Sequence, residues 1–276
     1  MTTANAQPPR KAKPQTVLEV VRTTRLNDWM QRVTLGGPGF VDFVPNDSTD
    51  AYVKLVFVKP ELGLTPPYDM AVLREELAPD DRPITRTYTI RSIDAEAGTL
   101  DIDFVIHGED GYAGPWAATA QPGDQLVLLG PGGGYAPDPA ADFHLLVGDS
   151  SALPAIAAAL ESMPADARGL ALVALDHDEE RQEVAHPAGV DLLWHVEEGT
   201  AADTERLAGL VTARDWPEGD VQVFAHGERE TIKALRRLFR EREVPRERLS
   251  ISGYWALGRT EDRFQAEKRE PIGKID

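Results

Sequence analysis

The stretch Arg86-Thr87-Tyr88-Thr89-Ile90-Arg91 decides how this chain is read. Strand alternation puts Arg86, Tyr88 and Ile90 on one face and Thr87, Thr89 and Arg91 on the other. A strand that offers a guanidinium, an aromatic ring and a hydroxyl together can hold a large planar anionic cofactor. Arg86 supplies a forked donor for a diphosphate, the Tyr88 ring a stacking surface, and the Thr89 hydroxyl a hydrogen bond to the ring edge. The same hexapeptide also suits an exposed antiparallel strand with two surface arginines.

Outward from this stretch, the apolar pattern has period two from Thr16 to about Leu129, the mark of half-buried antiparallel strands. Strands are predicted at 17–23, 29–35, 52–58, 87–93, 100–106 and 125–129. In the fifth, Leu100, Ile102, Phe104 and Ile106 face one way, and Asp101, Asp103, Val105 and His107 the other. Six strands joined by Gly, Pro and Asp turns predict a closed or nearly closed barrel. One short helix, 112–120, interrupts them, and the acidic, turn-rich stretch 60–83 reads as a surface flap.

Past Pro137 the pattern changes to compact apolar runs alternating with helical stretches, which predicts a parallel sheet with crossover helices. Strands fall at 143–147, 170–175, 190–196, 221–225 and 249–251, and helices at 152–163, 204–212 and 228–243. The domain reading is therefore an unstructured basic arm over 1–15, a barrel over 16–136, an α/β domain over 141–258, and a short helix with a loose end over 259–276. Pro137 and Pro139 flank Asp138 in the linker.

Composition narrows the chemistry. The 276 residues are 42% hydrophobic and 27% charged, ordinary for a soluble globular protein. The formal net charge of −17 argues against a nucleic-acid backbone or an anionic membrane as partner, so any anionic ligand needs a local basic pocket. With no Cys, there are no thiolate nucleophiles, iron–sulfur ligands or disulfides, and electron transfer would require an organic cofactor. His107, His144, His177, His186, His195 and His226 are scattered without metal-ligand spacing. No run of about 20 apolar residues and no signal-peptide core are present, which makes the cytoplasm the expected compartment; a monomer is expected, with the oligomeric state left open by the sequence.

Further motifs follow in order. Asp103-Phe104-Val105-Ile106-His107-Gly108 leads through Gly111 and Gly114 into Pro115, Trp116 and Ala117, a strand feeding a helix start through a Gly-rich bend. His107 reads as a barrel histidine, a base or a cofactor-lining group, and Trp116 as packing or as a cofactor shield. Later, a buried strand ends in Gly148-Asp149-Ser150-Ser151, with Pro154 in the first turn of the next helix. That turn suits nucleotide phosphates or ribose, and equally a plain cap on a crossover helix. The Gly130-Pro131-Gly132-Gly133-Gly134 run lacks dinucleotide-fingerprint spacing and reads as a hinge.

The ordered set Arg-x-Tyr-Thr-x-Arg (86–91), Asp-Phe-Val-x-His-Gly (103–108), Gly-x-Trp-Ala (114–117), Pro-Gly-Asp (122–124), Gly-Pro-x-Gly (130–133) and Leu-Leu-x-Gly-Asp-x-x-Ala-Leu-Pro-Ala-Ile (145–156) resembles the siderophore-interacting proteins. These are FAD-dependent ferric-siderophore reductases of the ferredoxin-reductase-like superfamily. The resemblance runs from about Val17 to Gly258. It implies a six-stranded antiparallel Greek-key flavin-binding barrel followed by a parallel α/β nucleotide-binding domain. FAD would be held by Arg86, Tyr88, Thr89, Arg91, Asp103, Val105, His107, Gly114, Trp116 and Ala117, with Thr89 beside the reactive flavin nitrogen.

The resemblance also implies NADH or NADPH as donor. Asp149, Ser150 and Ser151, together with the Gly227-Glu228 turn, would meet the nicotinamide nucleotide. Trp255 would lie near the flavin, as a cover or as domain packing. No basic residue suited to a ribose 2′-phosphate follows the nucleotide turn, which favours NADH, while a ferredoxin donor stays open. The ferric siderophore, a hydroxamate or catecholate chelate, would meet Lys54, which also reads as a solvated barrel lysine.

The family often has a basic residue where Gly132 stands and an Arg where Ala256 stands. Those departures thin the basic patch, pointing to a less anionic chelate or to tail residues such as Lys268, Arg269 and Lys274 as the source of charge. Two other readings stay open: a flavin reductase or diaphorase for another acceptor, and a siderophore-binding protein without turnover.

Overall fold

The computed structural model describes residues 14–106, 111–200 and 202–275. Its first half is one antiparallel sheet built from β1 (Gln15–Asn27), β2 (Met30–Gly36), β3 (Tyr52–Phe57), β4 (Ile84–Thr89), β5 (Ser92–Asp94), β6 (Thr99–Val105) and β7 (Gln125–Gly132), in the order β4-β3-β7-β1-β2-β6-β5. The two ends of that order, β4 and β5, are separated in sequence only by Ile90 and Arg91. The Ile90 N–H donates to the Ala51 carbonyl at 2.7 Å, beside β3, and the Arg91 N–H donates to Asp101 O of β6 at 2.8 Å. Successive amides thus bond opposite edges of the sheet, and residues 84–94 act as one bent strand that closes a six-stranded barrel.

Of the four residues read as sharing a face of the fifth strand, Leu100, Ile102 and Phe104 fill the barrel and Ile106 is partly buried against its core. Leu18, Val33, Val53, Leu55, Leu100, Ile102 and Phe104 are fully buried. On the outer face of the β2–β6 pair, Arg32 donates to both carboxylate oxygens of Asp103, at 2.6 and 2.8 Å. Helix α2 (Ala113–Thr119) plugs one end of the barrel with buried Ala113 and Ala117. The stretch 60–83 contains a helix that periodicity did not reveal, α1 (Met70–Glu76), whose Asp69 carboxylate accepts from the Ala71 and Val72 amides at 3.1 Å each.

The second half is a five-stranded parallel sheet of β8 (Phe143–Asp149), β9 (Arg168–Leu175), β10 (Gly189–Val196), β11 (Val221–Glu228) and β12 (Leu249–Trp255), ordered β10-β9-β8-β11-β12. Helix α3 (Leu153–Ser162) covers one face, packing Ile156 and Leu160 towards Leu146 and Phe224. Helices α4 (Asp203–Thr212) and α5 (Arg229–Glu241) cover the other with Leu207, Leu235 and Phe239. Strand order reverses between β8 and β11, so the crevice at their carboxyl ends is the topological switch point where ligands bind in such sheets.

The linker is pinned from both sides. Asp50 Oδ1 accepts from the Gly134 and Tyr135 amides at 2.8 and 2.9 Å, and the Tyr135 ring packs on Phe224 of β11, centroids 4.9 Å apart. Across the interface Arg91 donates to both oxygens of Glu161 on α3, at 2.7 and 2.5 Å. Trp29 stacks on His177 at 4.4 Å. The tail does not end loosely over its described residues. Helix α6 (Glu261–Glu267) is followed by a stretch in which Lys233 of α5 donates to the Ile272 carbonyl at 2.7 Å.

The Asp103 carboxylate is almost fully buried and, among the described residues, its charge is met by Arg32 alone. Arg32→Met strands that charge and is expected to destabilise the fold by about 2–3 kcal/mol, read by urea denaturation. Adding Asp103→Leu should recover most of the loss.

Candidate functional site

Strand β4 delivers the hexapeptide to the junction of the domains. Thr89 is 8% exposed, and the Tyr254 side chain of β12 lies near its hydroxyl. Burial raises the Tyr254 pKa well above the usual tyrosine value, with Asp50 adding to it, so its hydroxyl keeps its proton. Beside Tyr254, His226 is sandwiched flat on Phe224 at 4.0 Å, and its Nε2 meets Ser250 Oγ at 2.9 Å. Burial pushes the His226 pKa down to about 3, which keeps the ring neutral. Neither Tyr254 nor His226 was singled out as a site residue. Their signal was tertiary, apart from the Tyr-Trp pair at the end of the last strand.

Tyr88 packs on Phe104, centroids 4.5 Å apart at 34°. The Arg86 guanidinium donates through Nη1 and Nη2 to the two carboxylate oxygens of Asp262 on α6, at 3.1 and 3.4 Å, and lies 5.4 Å from the Tyr112 ring centroid. Its Nε has no hydrogen-bond partner among the described residues. A guanidinium with an open edge, a tyrosine and a threonine hydroxyl on one strand form a donor set that fits an FAD diphosphate and ring system.

The other residues expected around FAD are placed differently. Arg91 is engaged by Glu161 and Asp103 by Arg32, both as protein–protein ion pairs. Trp116 packs against Phe57 and Phe104, centroids 6.0 and 5.6 Å away. The Ala117 carbonyl accepts from Gln31 Nε2 at 2.5 Å. A Cβ on Gly114 would stand 3.2 Å from the Val105 carbonyl, so the glycine lets α2 sit close on β6. His107 lies outside the described residues.

At the switch point, Asp149, Ser151, Gly227 and Glu228, expected to meet the nucleotide, lie together. Asp149 Oδ2 accepts from the Glu228 amide at 2.7 Å and from Trp255 Nε1 at 2.8 Å, while Oδ1 accepts from the Ser151 amide and hydroxyl at 2.9 and 2.5 Å. Gly227 has φ +152, and a Cβ there would meet Asp149 Oδ2 at 2.5 Å. Glu228 Oε2 caps α5 by accepting from the Glu230 and Thr231 amides at 2.6 and 3.0 Å. Ser150 turns aside, donating to Glu180 at 2.6 Å.

The carboxyl edge of this sheet is strongly acidic. Desolvation raises the Asp149 pKa against the pull of those four hydrogen bonds. Desolvation, reinforced by Asp203, Asp149, Asp176 and Glu228, pushes Glu197 up to about 7.

Lys54 and Lys268, the two lysines expected at the substrate face, are near enough for their charges to repel. Lys54 stands in register with Thr87 on the outer side of β3. Lys268 Nζ sits 4.6 Å from the Phe264 ring centroid. Partial burial lowers the Lys268 pKa, Glu261 opposes this, and repulsion from Lys54 adds to it, as nearby like charges do. A Cβ on Gly132 would stand 2.5 Å from the tip of the Tyr52 ring, so a larger residue there requires that ring to move. Ala256 is 2% exposed.

Comparison with known proteins agrees with this geometry. Residues 19–135 match the model of the siderophore-interacting FAD-binding domain, and 141–258 that of the siderophore-interacting protein. The chain belongs to the siderophore-interacting protein family, and its barrel is an FAD-binding domain. It is 34% identical over 261 residues to the ferric vibriobactin reductase ViuB of Vibrio cholerae, covering 91% of this chain and 93% of that one. It is 32% identical to the NADPH-dependent ferric-chelate reductase of Escherichia coli, covering 86% of this chain and 91% of that one. The siderophore-interacting protein SipS of Aeromonas hydrophila superposes with a TM-score of 0.80 at 32% identity, covering 95% of this chain and 99% of that one. The two-domain fold is ferredoxin-NADP reductase-like.

Because the folded-state pKa of Glu197 lies above its ordinary 4.5, the folded protein binds more protons than the unfolded chain between pH 4.5 and about 7, and stability falls across that window. Glu197→Gln should leave Tm unchanged at pH 4 and raise it by about 2 °C at pH 8 after allowance for solvent screening, measured by calorimetry at both values.

Proposed function

We propose that the protein is an FAD-dependent reductase that passes electrons from NADH to Fe(III) held in an anionic siderophore, releasing Fe(II) for iron assimilation in the cytoplasm. The observation that carries this reading is the position of β4, whose Arg86, Tyr88 and Thr89 stand at the domain junction between a lysine-bearing outer face and the acidic switch point. FAD, when bound, supplies the conversion of a two-electron hydride donation into single-electron delivery. Arg86 holds the diphosphate through its open edge, and Tyr88 offers a ring for stacking. The Thr89 hydroxyl, beside Tyr254, directs a hydrogen bond to the flavin edge and is the residue assigned to catalysis.

Lys54 and Lys268 supply the positive potential that draws an anionic chelate to the site despite the net charge of −17. Two lysines, with Gly132 and Ala256 adding no charge, suit a chelate less anionic than a tris-catecholate, such as one carrying hydroxamate groups. The metal is substrate and takes no ligand from the chain: iron leaves because siderophore oxygens hold Fe(II) far less tightly than Fe(III).

On the donor side Asp149, Asp176, Glu197 and Glu228 disfavour an additional 2′-phosphate, which supports NADH over NADPH. One observation favours a second donor, a reduced ferredoxin. The carboxylates of Asp149 and Glu228 already occupy the turns at the starts of α3 and α5, where a nucleotide diphosphate would otherwise find free amides. Anaerobic stopped-flow mixing decides: bleaching of the flavin by NADH at least about tenfold more efficiently than by NADPH supports the first reading. Bleaching only by reduced ferredoxin supports the second, and no bound flavin at all removes both.

Thr89→Ala is expected to slow flavin reduction by one to two orders of magnitude, roughly the worth of one preorganised donor, in the same stopped-flow assay. Lys54→Met should raise KM for an anionic ferric chelate roughly fivefold at low salt, less at high ionic strength, measured by steady-state release of Fe(II).

A further inference from the structure

The tail beyond residue 258 lies outside both matched family models, and it carries Asp262. We propose that Asp262 is a positioning residue that holds the Arg86 guanidinium with its second edge turned to the FAD diphosphate. The inference rests on the role proposed above for Arg86.

A guanidinium has two forks of paired donors, one formed by Nη1 and Nη2 and one by Nε and Nη2. Asp262 takes the first, and the remaining Nη1 proton goes to the Thr85 carbonyl at 3.0 Å. The Tyr112 ring lies against the group at 5.4 Å. Three contacts from three directions fix its plane, and they leave Nε and one Nη2 proton without partners among the described residues. That is a complete two-donor edge for a phosphate.

Asp262 can act this way because its helix is anchored. Glu267, 1% exposed, accepts from Arg229 Nη1 at 2.6 Å and from Arg259 Nε and Arg263 Nε at 2.8 Å each. Arg229 and its two companions hold the Glu267 pKa down to about 2, so the anchor stays ionised. The Thr260 hydroxyl caps the start of the helix at the Arg263 amide. The far end of α6 is thus fixed to α5, while its near end reaches across to the barrel.

Ordering a long, rotamer-rich arginine before the ligand arrives removes part of the entropy cost of binding. The repulsion between the Asp262 carboxylate and a diphosphate is small. The two lie on different edges of the cation, and the Asp262 side chain is 74% exposed and screened by water.

The test is FAD titration of the flavin-free protein, followed by quenching of flavin fluorescence at low salt. Asp262→Asn should weaken FAD binding roughly threefold to fivefold, and Asp262→Glu should restore most of it. Arg86→Ala should weaken it further, and Asp262→Asn added to that variant should change nothing more. Tighter binding by Asp262→Asn would mean that the carboxylate competes with the diphosphate and would overturn the proposal. So would unchanged binding, or equal weakening in the Arg86→Ala background. If Arg86→Ala itself binds FAD like the wild type, the role of Arg86 falls first and the inference with it.

Discussion

Closure of the barrel through residues 84–94 is the constraint on which the rest of the structure depends. The Ile90 and Arg91 amides bond to opposite edges, so the strand must turn sharply between them. The same turn places Thr89 under Tyr254 and aims the Arg91 side chain at Glu161 of α3. Barrel closure, domain docking and the residues proposed to face the cofactor therefore share one hexapeptide. A change at the seam is felt by all three, because the interface side chains are carried by the backbone that closes the sheet.

What lies outside the hexapeptide is held by carboxylates used as connectors. Asp50 ties the linker to the start of β3, Asp149 ties β8 to β11 and β12, and Glu267 ties the tail to α5. Each accepts at least two hydrogen bonds, and charge-assisted bonds of this kind are about twice as strong as neutral ones. The acidic composition is thus partly structural: several of the negative charges are engaged in holding segments distant in sequence.

The strands were legible because each carries an inward period of two or a compact apolar run, and Leu100, Ile102 and Phe104 are buried as that pattern requires. The division of the 87–93 strand at Ile90 was not legible, since only the arrival of β3 and β6 from opposite sides forces it. Helix α1 was missed although Asp69 is a good N-cap, because prolines on both sides of a seven-residue helix dominated the local signal. In the site, the approach of Asp149 to the Gly227-Glu228 turn followed from strand ends meeting at one switch point, whereas the bond from Trp255, expected near the flavin, to Asp149 did not. The partners of Arg86, Arg91 and Asp103 did not, because Asp262, Glu161 and Arg32 lie 176, 70 and 71 residues away in sequence. A side chain that reads as a ligand donor is, in the absence of such partners, indistinguishable from half of an ion pair.

Gly132 and Ala256 show how a departure from a family pattern acquires physical meaning. Neither position carries a basic side chain here: Gly132 lies against the tip of the Tyr52 ring, and Ala256 is buried. The positive charge of the outer face is then left to Lys54 and to a lysine on the tail, while the switch point keeps its carboxylates unneutralised. On the proposed reading, with β4 between them, the two approaches to the site differ in sign: the lysine side would attract anionic chelates and the carboxylate side would repel them. That asymmetry favours different approaches for an anionic acceptor and for its electron donor, and the tail supplies one half of it.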